Sequence, residues 1–111
     1  MTLFIDCDDT LVLWDDVKGV NTSWKPNFPL IRAVLLWREK HPGEEVVVWS
    51  GGGADYALGW AKKLLGTFMF DTVTDKYLNS IKSGDIWVDD QKLNAEGIGY
   101  LPDTFVRVME R

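Results

Sequence analysis

The sequence predicts an α/β fold with a mostly parallel sheet, and three observations predict it. Short apolar runs alternate with segments of helical spacing along the whole chain. One of those runs, Val46-Val47-Val48-Trp49, is continuously apolar and rich in β-branched residues, as strands buried on both faces are. Polar and acidic groups recur at the ends of the runs, where open parallel sheets bind their ligands.

Each element follows in order. Leu3-Phe4-Ile5 reads as a buried strand, broken by the acids of residues 6–10. Residues 15–29 have no clean period and contain Gly19, Asn21, Pro26 and Pro29, so they read as a long loop or flap that could hold a small hairpin. A loop of that length in a compact domain is usually functional. A first helix is predicted over residues 27–40, with Asn27 as cap, Pro29 in the first turn and His41-Pro42-Gly43 as the stop. The Val46 strand follows, and Ser50-Gly51-Gly52-Gly53 comes straight after it. A second helix is predicted over 55–65, with Ala57, Trp60, Ala61 and Leu64 on one face. A strand at 68–73, a short helix at 76–81, a strand at 85–88 and an edge strand at 105–109 complete the expectation.

Composition narrows the function. The 111 residues are 46% hydrophobic and 26% charged, an ordinary globular mix, and no repeat, linker or low-complexity tract divides them. Residues 1–111 therefore read as one domain. No apolar run approaches the roughly 18 residues needed to span a bilayer, and Met1-Thr2-Leu3 lacks the basic flank of a cleavable signal. A single cysteine fits a reducing, cytoplasmic setting. A net charge of −5 argues against bulk electrostatic binding of nucleic acid, although it leaves room for a local basic patch.

The acids are gathered. Asp6, Asp8 and Asp9 follow the first strand, Ser50 and three glycines follow the second, and Asp89 and Asp90 follow the fourth. Acids after a strand are often turn residues or caps. Three such groups at the ends of parallel strands would meet at one edge of the sheet. Crowded carboxylates need a cation, and an oxygen-only set favours a hard ion such as Mg²⁺. A carboxylate can also attack phosphorus, and a hydroxyl with backbone amides can hold phosphate oxygens.

Those residues carry a resemblance. Leu3 to Val12, with Asp-x-Asp-x-Thr at its centre, resembles the first motif of the haloacid dehalogenase superfamily. Val46 to Ser50 is similar to its second motif, and Ile86-Trp87-Val88-Asp89-Asp90 to its fourth. The resemblance implies a three-layer sandwich with no large cap domain, and a Mg²⁺-dependent phosphatase. Asp6 would be the nucleophile and Asp8 the general acid and then base, with Thr10 helping to position Asp8 mostly through the turn it sits in. Ser50, Gly51 and Lys76 would meet the phosphoryl group. Asp6, Asp89, Asp90 and the backbone carbonyl of Asp8 would hold the ion, Asp90 directly or through water. A carboxylate on the ion and one off it should titrate apart. The third motif is one basic residue before the last strand, and both Lys76 and Lys82 precede it; Lys76 is the better placed. Asp9 reads as a turn residue. No arginine follows Ser50, as it does in some members.

The substrate is left as a phosphorylated one: nucleotide, polynucleotide end, sugar phosphate or phosphoprotein. Two other classes stay open, a scaffold that kept the fold without turnover and a receiver-like phospho-acceptor. A receiver would end its Val46 strand in an acid and carry a lysine after its last strand, and neither is present. Trp14 and Trp24 either stack on a substrate ring or pin the flap to the body, while Trp37, Trp49, Trp60 and Trp87 read mostly as core. Lys18, Lys25 and Arg32 either meet a second phosphate or form a solvated face. Cys7 reads as a buried thiol and His41 as a helix terminator.

Overall fold

The structure is a computed structural model that describes residues 1–17 and 20–111. Five strands form a parallel sheet: β1 (Thr2–Ile5), β4 (Glu45–Ser50), β5 (Thr72–Asp75), β6 (Ile86–Val88) and β7 (Ile98–Tyr100). Their spatial order is β5-β4-β1-β6-β7, so β1 is central and pairs with β4 on one side and β6 on the other. Two further strands, β2 (Val12–Val17) and β3 (Val20–Pro26), form a separate antiparallel hairpin. The helices are α1 (Phe28–Lys40), α2 (Ala54–Leu64) and α3 (Pro102–Met109). No helix among the described residues is long and apolar enough to cross a membrane.

Strand alternation sorts the core into two parts. Leu3, Ile5, Val46, Val48 and Val88 point to one face, where they meet Leu30, Val34 and Trp37 of α1, Ala57 and Ala61 of α2, and Phe105 of α3. Phe4, Val47, Trp49 and Trp87 point to the other, where Ile81, Leu78, Leu93 and Ala95 cover them. All three α-helices thus pack on one face. The connections explain this for α1 and α2. Parallel strands are joined by right-handed crossovers, so the chain must change face when it reverses direction across the sheet. The links β1 to β4 and β4 to β5 run one way and carry α1 and α2. The links β5 to β6 and β6 to β7 run the other way and carry a 3₁₀ turn (Leu78–Ser80) and an extended loop. The second face therefore has a thin cover without an α-helix.

Several expected elements take a different form. The flap expected at 15–29, with its possible small hairpin, contains the β2–β3 hairpin, which begins earlier, at Val12, and residues 28 and 29 already belong to α1. Asn27 caps α1 as expected, accepting from Leu30 N at 3.4 Å, and its amide also donates to the Thr10 carbonyl at 2.8 Å. That second bond ties the hairpin's exit to the loop after β1. The strand expected at 68–73 starts only at Thr72, because Gly66 (φ +72°) turns the chain and Met69 and Phe70 pack on the core without pairing. The helix expected at 76–81 is the single 3₁₀ turn. The edge strand expected at 105–109 is helix: Pro102 sits in the first turn of α3, and Phe105 is fully buried beside Val106 and Met109. The edge strand beside β6 is instead β7.

Candidate active site

The cleft opens at the carboxyl ends of β1, β4 and β6. A parallel sheet delivers the ends of all its strands to the same edge, so residues far apart in sequence arrive together. Asp6, Asp8, Ser50, Lys76, Asp89 and Asp90 line one cleft of about 380 Å³. Asp9, Gly51, Gly52 and Gln91 complete its wall. The residues to which the resemblance gives a role in catalysis, phosphate or metal binding are all in this cleft except Thr10, which lies buried beneath it; Lys25 and Arg32, the second-phosphate candidates, do not line it.

Asp6 leaves β1 nearly buried, with its backbone N–H donating to Val88 O at 3.1 Å. Its carboxylate accepts from Lys76 Nζ at 3.3 Å and from Thr10 Oγ1 at 3.3 Å. Lys76 Nζ also donates to Asp89 Oδ2 at 2.5 Å, so one ammonium bridges two buried acids. Lys82, the other candidate, donates to the Asn79 carbonyl away from the cleft. Thr10 sits in the turn after β1, its N–H donating to Cys7 O at 3.1 Å, and its hydroxyl donates to Asp6 and accepts the Asp90 N–H at 3.1 Å. Asp89 is further fixed by the Gln91 N–H, which donates to Oδ1 at 2.9 Å.

The carboxylate oxygens of Asp6, Asp89 and Asp90 lie within 4.8 Å of one another. Neighbouring ligands of an octahedral Mg²⁺ ion stand about 3 Å apart, so one ion shared by all three would draw the carboxylates inward. The all-oxygen donor set fits a hard cation. The side chain of Asp8 is not in this group. Its Oδ1 accepts from Trp14 Nε1 at 2.8 Å and from Tyr56 OH at 2.6 Å.

Ser50 ends β4 almost fully buried, and its Oγ accepts the Gly52 N–H at 3.0 Å. Gly53 adopts φ +103°, a backbone that L side chains rarely take, and this turns the chain into α2. The first N–H of α2, from Ala54, goes to Asp75 Oδ1 at 2.8 Å.

Burial pushes the Asp6 carboxyl above its usual range, with the neighbouring Asp89 charge adding to the rise and Lys76 opposing it. Burial, Asp89 and Asp6 likewise push Asp90 up to about 7. Burial works against charge on Lys76, but its bonds to Asp89 and Asp6 and their negative charge raise its pKa overall. Burial lifts the Cys7 thiol to about 12, which makes it an inert core group as the sequence indicated. A consequence follows for the metal-free protein. Asp6 and Asp90 bind their protons more tightly folded than unfolded, so their stabilisation is full below about pH 4 and is lost as pH rises toward 7. Thermal melts in EDTA should fall across that window, and Asp90→Asn should flatten the fall; a flat wild-type profile would contradict it.

Two residues escaped the sequence reading. Tyr56 lies in the first turn of α2, next to a strand end already marked by Ser50, and that position was the available signal. Gln91 directly follows the acidic pair. The tryptophans sort as follows. Trp37, Trp49 and Trp87 are buried. Trp14 and Trp24 pack edge-on against Trp60, at 5.9 and 4.8 Å between ring centroids, which pins the hairpin to α2. Lys63 stands 4.7 Å over the Trp24 ring. Lys18 lies outside the described residues. Asp9 is a turn residue at φ +58°, and His41 is the C-cap of α1. No family model, curated protein or solved structure matches this chain.

Proposed function

We propose that this chain is a Mg²⁺-dependent phosphomonoesterase of the haloacid dehalogenase-like kind, working through an aspartyl-phosphate on Asp6. The observation that carries the reading is the division of labour within one cleft. A buried carboxylate is bridged by Lys76 to a second acid, while a separate carboxylate, Asp8, is held apart by its own donors.

Asp6 attacks phosphorus, and the bond from phosphorus to the ester oxygen breaks. Asp8 gives its proton to the departing oxygen. Asp8 then takes a proton from a water that attacks the phosphorus, the bond to Asp6 breaks, and phosphate leaves. Lys76 offsets the charge on Asp6 and on the phosphoryl oxygens, and the Ser50 hydroxyl with the Gly51 amide donates to those oxygens. Asp6, Asp89 and Asp90, with the Asp8 carbonyl, would hold the ion, which when bound neutralises charge on the transferred group. The substrate is a phosphomonoester; nucleotides, polynucleotide ends, sugar phosphates and phosphoproteins all present that group.

Strand order weighs against the receiver-like alternative. Numbered along the chain, the parallel strands run 3-2-1-4-5 across the sheet. A receiver runs 2-1-3-4-5. In the observed order the direction of winding reverses beside β1, and Asp6 and Asp89 stand at that crevice.

The test is hydrolysis of p-nitrophenyl phosphate with Mg²⁺ and with EDTA, wild type beside Asp6→Asn. Metal-dependent turnover is expected, falling on the order of 10³-fold or more in the variant. Full activity in Asp6→Asn would overturn the mechanism.

A further inference from the structure

The side chain of Asp8 is held by two donors. Both of its hydrogen bonds arrive at the same oxygen, and they come from different elements. Trp14 Nε1 reaches Oδ1 from the hairpin at 2.8 Å, and Tyr56 OH reaches it from α2 at 2.6 Å. A carboxylate oxygen has two lone-pair directions, and here both are taken. Only Oδ2 is left to exchange a proton with a substrate.

Both donors rest on one aromatic ring, Tyr56 while 38% exposed. Trp14 and Tyr56 both pack edge-on against Trp60, at 5.9 and 6.4 Å. The ring of Trp60 thus backs both donors at once, and Trp24 braces it from the hairpin's other strand at 4.8 Å. Without the two donors the carboxylate could rotate about its terminal torsion, which is broad and roughly two-fold. A misaimed acid loses its effect because proton transfer demands hydrogen-bond reach in the transition state.

We propose that Trp14 and Tyr56 are positioning residues that aim Oδ2 of Asp8 at the leaving oxygen of the substrate. The inference rests on the phosphatase reading above and adds the two residues that make its acid directional. It gives the hairpin a part in the chemistry beyond covering the cleft. An acid matters most when the leaving group is a poor one, so the two residues should govern which esters are cleaved.

The experiment compares two esters, p-nitrophenyl phosphate and glycerol 2-phosphate, with wild type, Tyr56→Phe, Trp14→Phe, Asp8→Asn and Asp6→Asn, all with Mg²⁺. For Tyr56→Phe and Trp14→Phe, kcat/KM, which reports the step that expels the leaving group, should fall about 10-fold or more on the alkyl ester and no more than about 3-fold on the nitrophenyl ester. Asp8→Asn should show the same bias more strongly. Equal losses on both esters would mean that the two side chains merely support the structure, and would overturn the proposal. So would wild-type kinetics in both variants. If Trp14→Phe fails to fold, Tyr56→Phe, which removes one hydroxyl, decides alone. The controls separate the two claims. Asp6→Asn inactive with unbiased Tyr56→Phe sinks only the positioning role. An active Asp6→Asn, or a wild type that cleaves neither ester, removes the phosphatase reading and this inference with it.

Discussion

Replacing Lys76 with methionine should destabilise the metal-free protein by about 3 kcal/mol at neutral pH. The ammonium touches Asp6 and Asp89, whose side chains are 9% and 1% exposed. Methionine restores most of the volume and none of the charge. Two acids are then left facing each other in a site that water reaches poorly, and removing one partner of a buried pair is far costlier than replacing both. The deficit should shrink as acid neutralises the cluster, because Asp6 already binds its proton tightly and would do so more strongly without the cation. Urea unfolding in EDTA at pH 7.5 and pH 5 measures both effects. Equal stability of wild type and variant at pH 7.5 would show that the acids do not depend on Lys76.

Gly99→Ala should cost about 2–3 kcal/mol, against the usual direction of that exchange. Alanine ordinarily gains roughly 0.5–1 kcal/mol over glycine inside a strand. Gly99, however, is the register partner of Trp87, and the indole lies across it. A Cβ built on Gly99 would come within 1.8 Å of Trp87 Cζ2 and 2.2 Å of Cε2, well inside van der Waals contact. The indole N–H of Trp87 has no hydrogen-bond partner among the described residues, so shape alone holds the ring. The ring has no easy retreat, with Phe4, Val47 and Ile81 packed in the same cluster. Trp87→Leu alone should be costly, yet less so when Gly99 is already alanine. A double-mutant cycle should return a coupling of about 1 kcal/mol or more. Strict additivity would mean the ring moves aside freely.

What the sequence made legible follows from where tertiary context is weak. The Val46 strand has no polar position to hesitate over, and α1 carries its own cap in Asn27 and its own stop at His41. Both were read nearly to the residue. The chemistry was legible for a related reason: strand ends in a parallel sheet share an edge, so Asp6, Ser50 and Asp89 could be brought together without knowing the strand order. The failures lie where short segments depend on neighbours. Phe68 to Phe70 is as apolar as a strand, but Gly66 swings it out of register. Phe105 to Met109 fits either period over five residues, and only Pro102 upstream marks it as helix. β7 has three residues, one of them glycine, and exists because Trp87 covers it. Tyr56 was hidden because its meaning depends on a hydroxyl meeting Asp8 across 48 positions, which no spacing rule encodes.

The central place of β1 also sets an order of assembly. The strand that precedes Asp6 is the first of the five in the chain, and Ile86 at the start of β6 follows Ile5 by 81 residues. At ordinary translation speeds of 5–20 residues per second, that gap lasts roughly 4–16 s. During it β4 can pair with one side of β1, but the other side shows bare N–H and C=O groups along Leu3, Phe4 and Ile5, waiting for Ile86 to Val88. An unpaired apolar edge of this kind invites pairing with other chains. The half-made protein is thus stickier than the finished one. The growing chain closes its vulnerable middle in the same late step that brings Asp89 to Asp6.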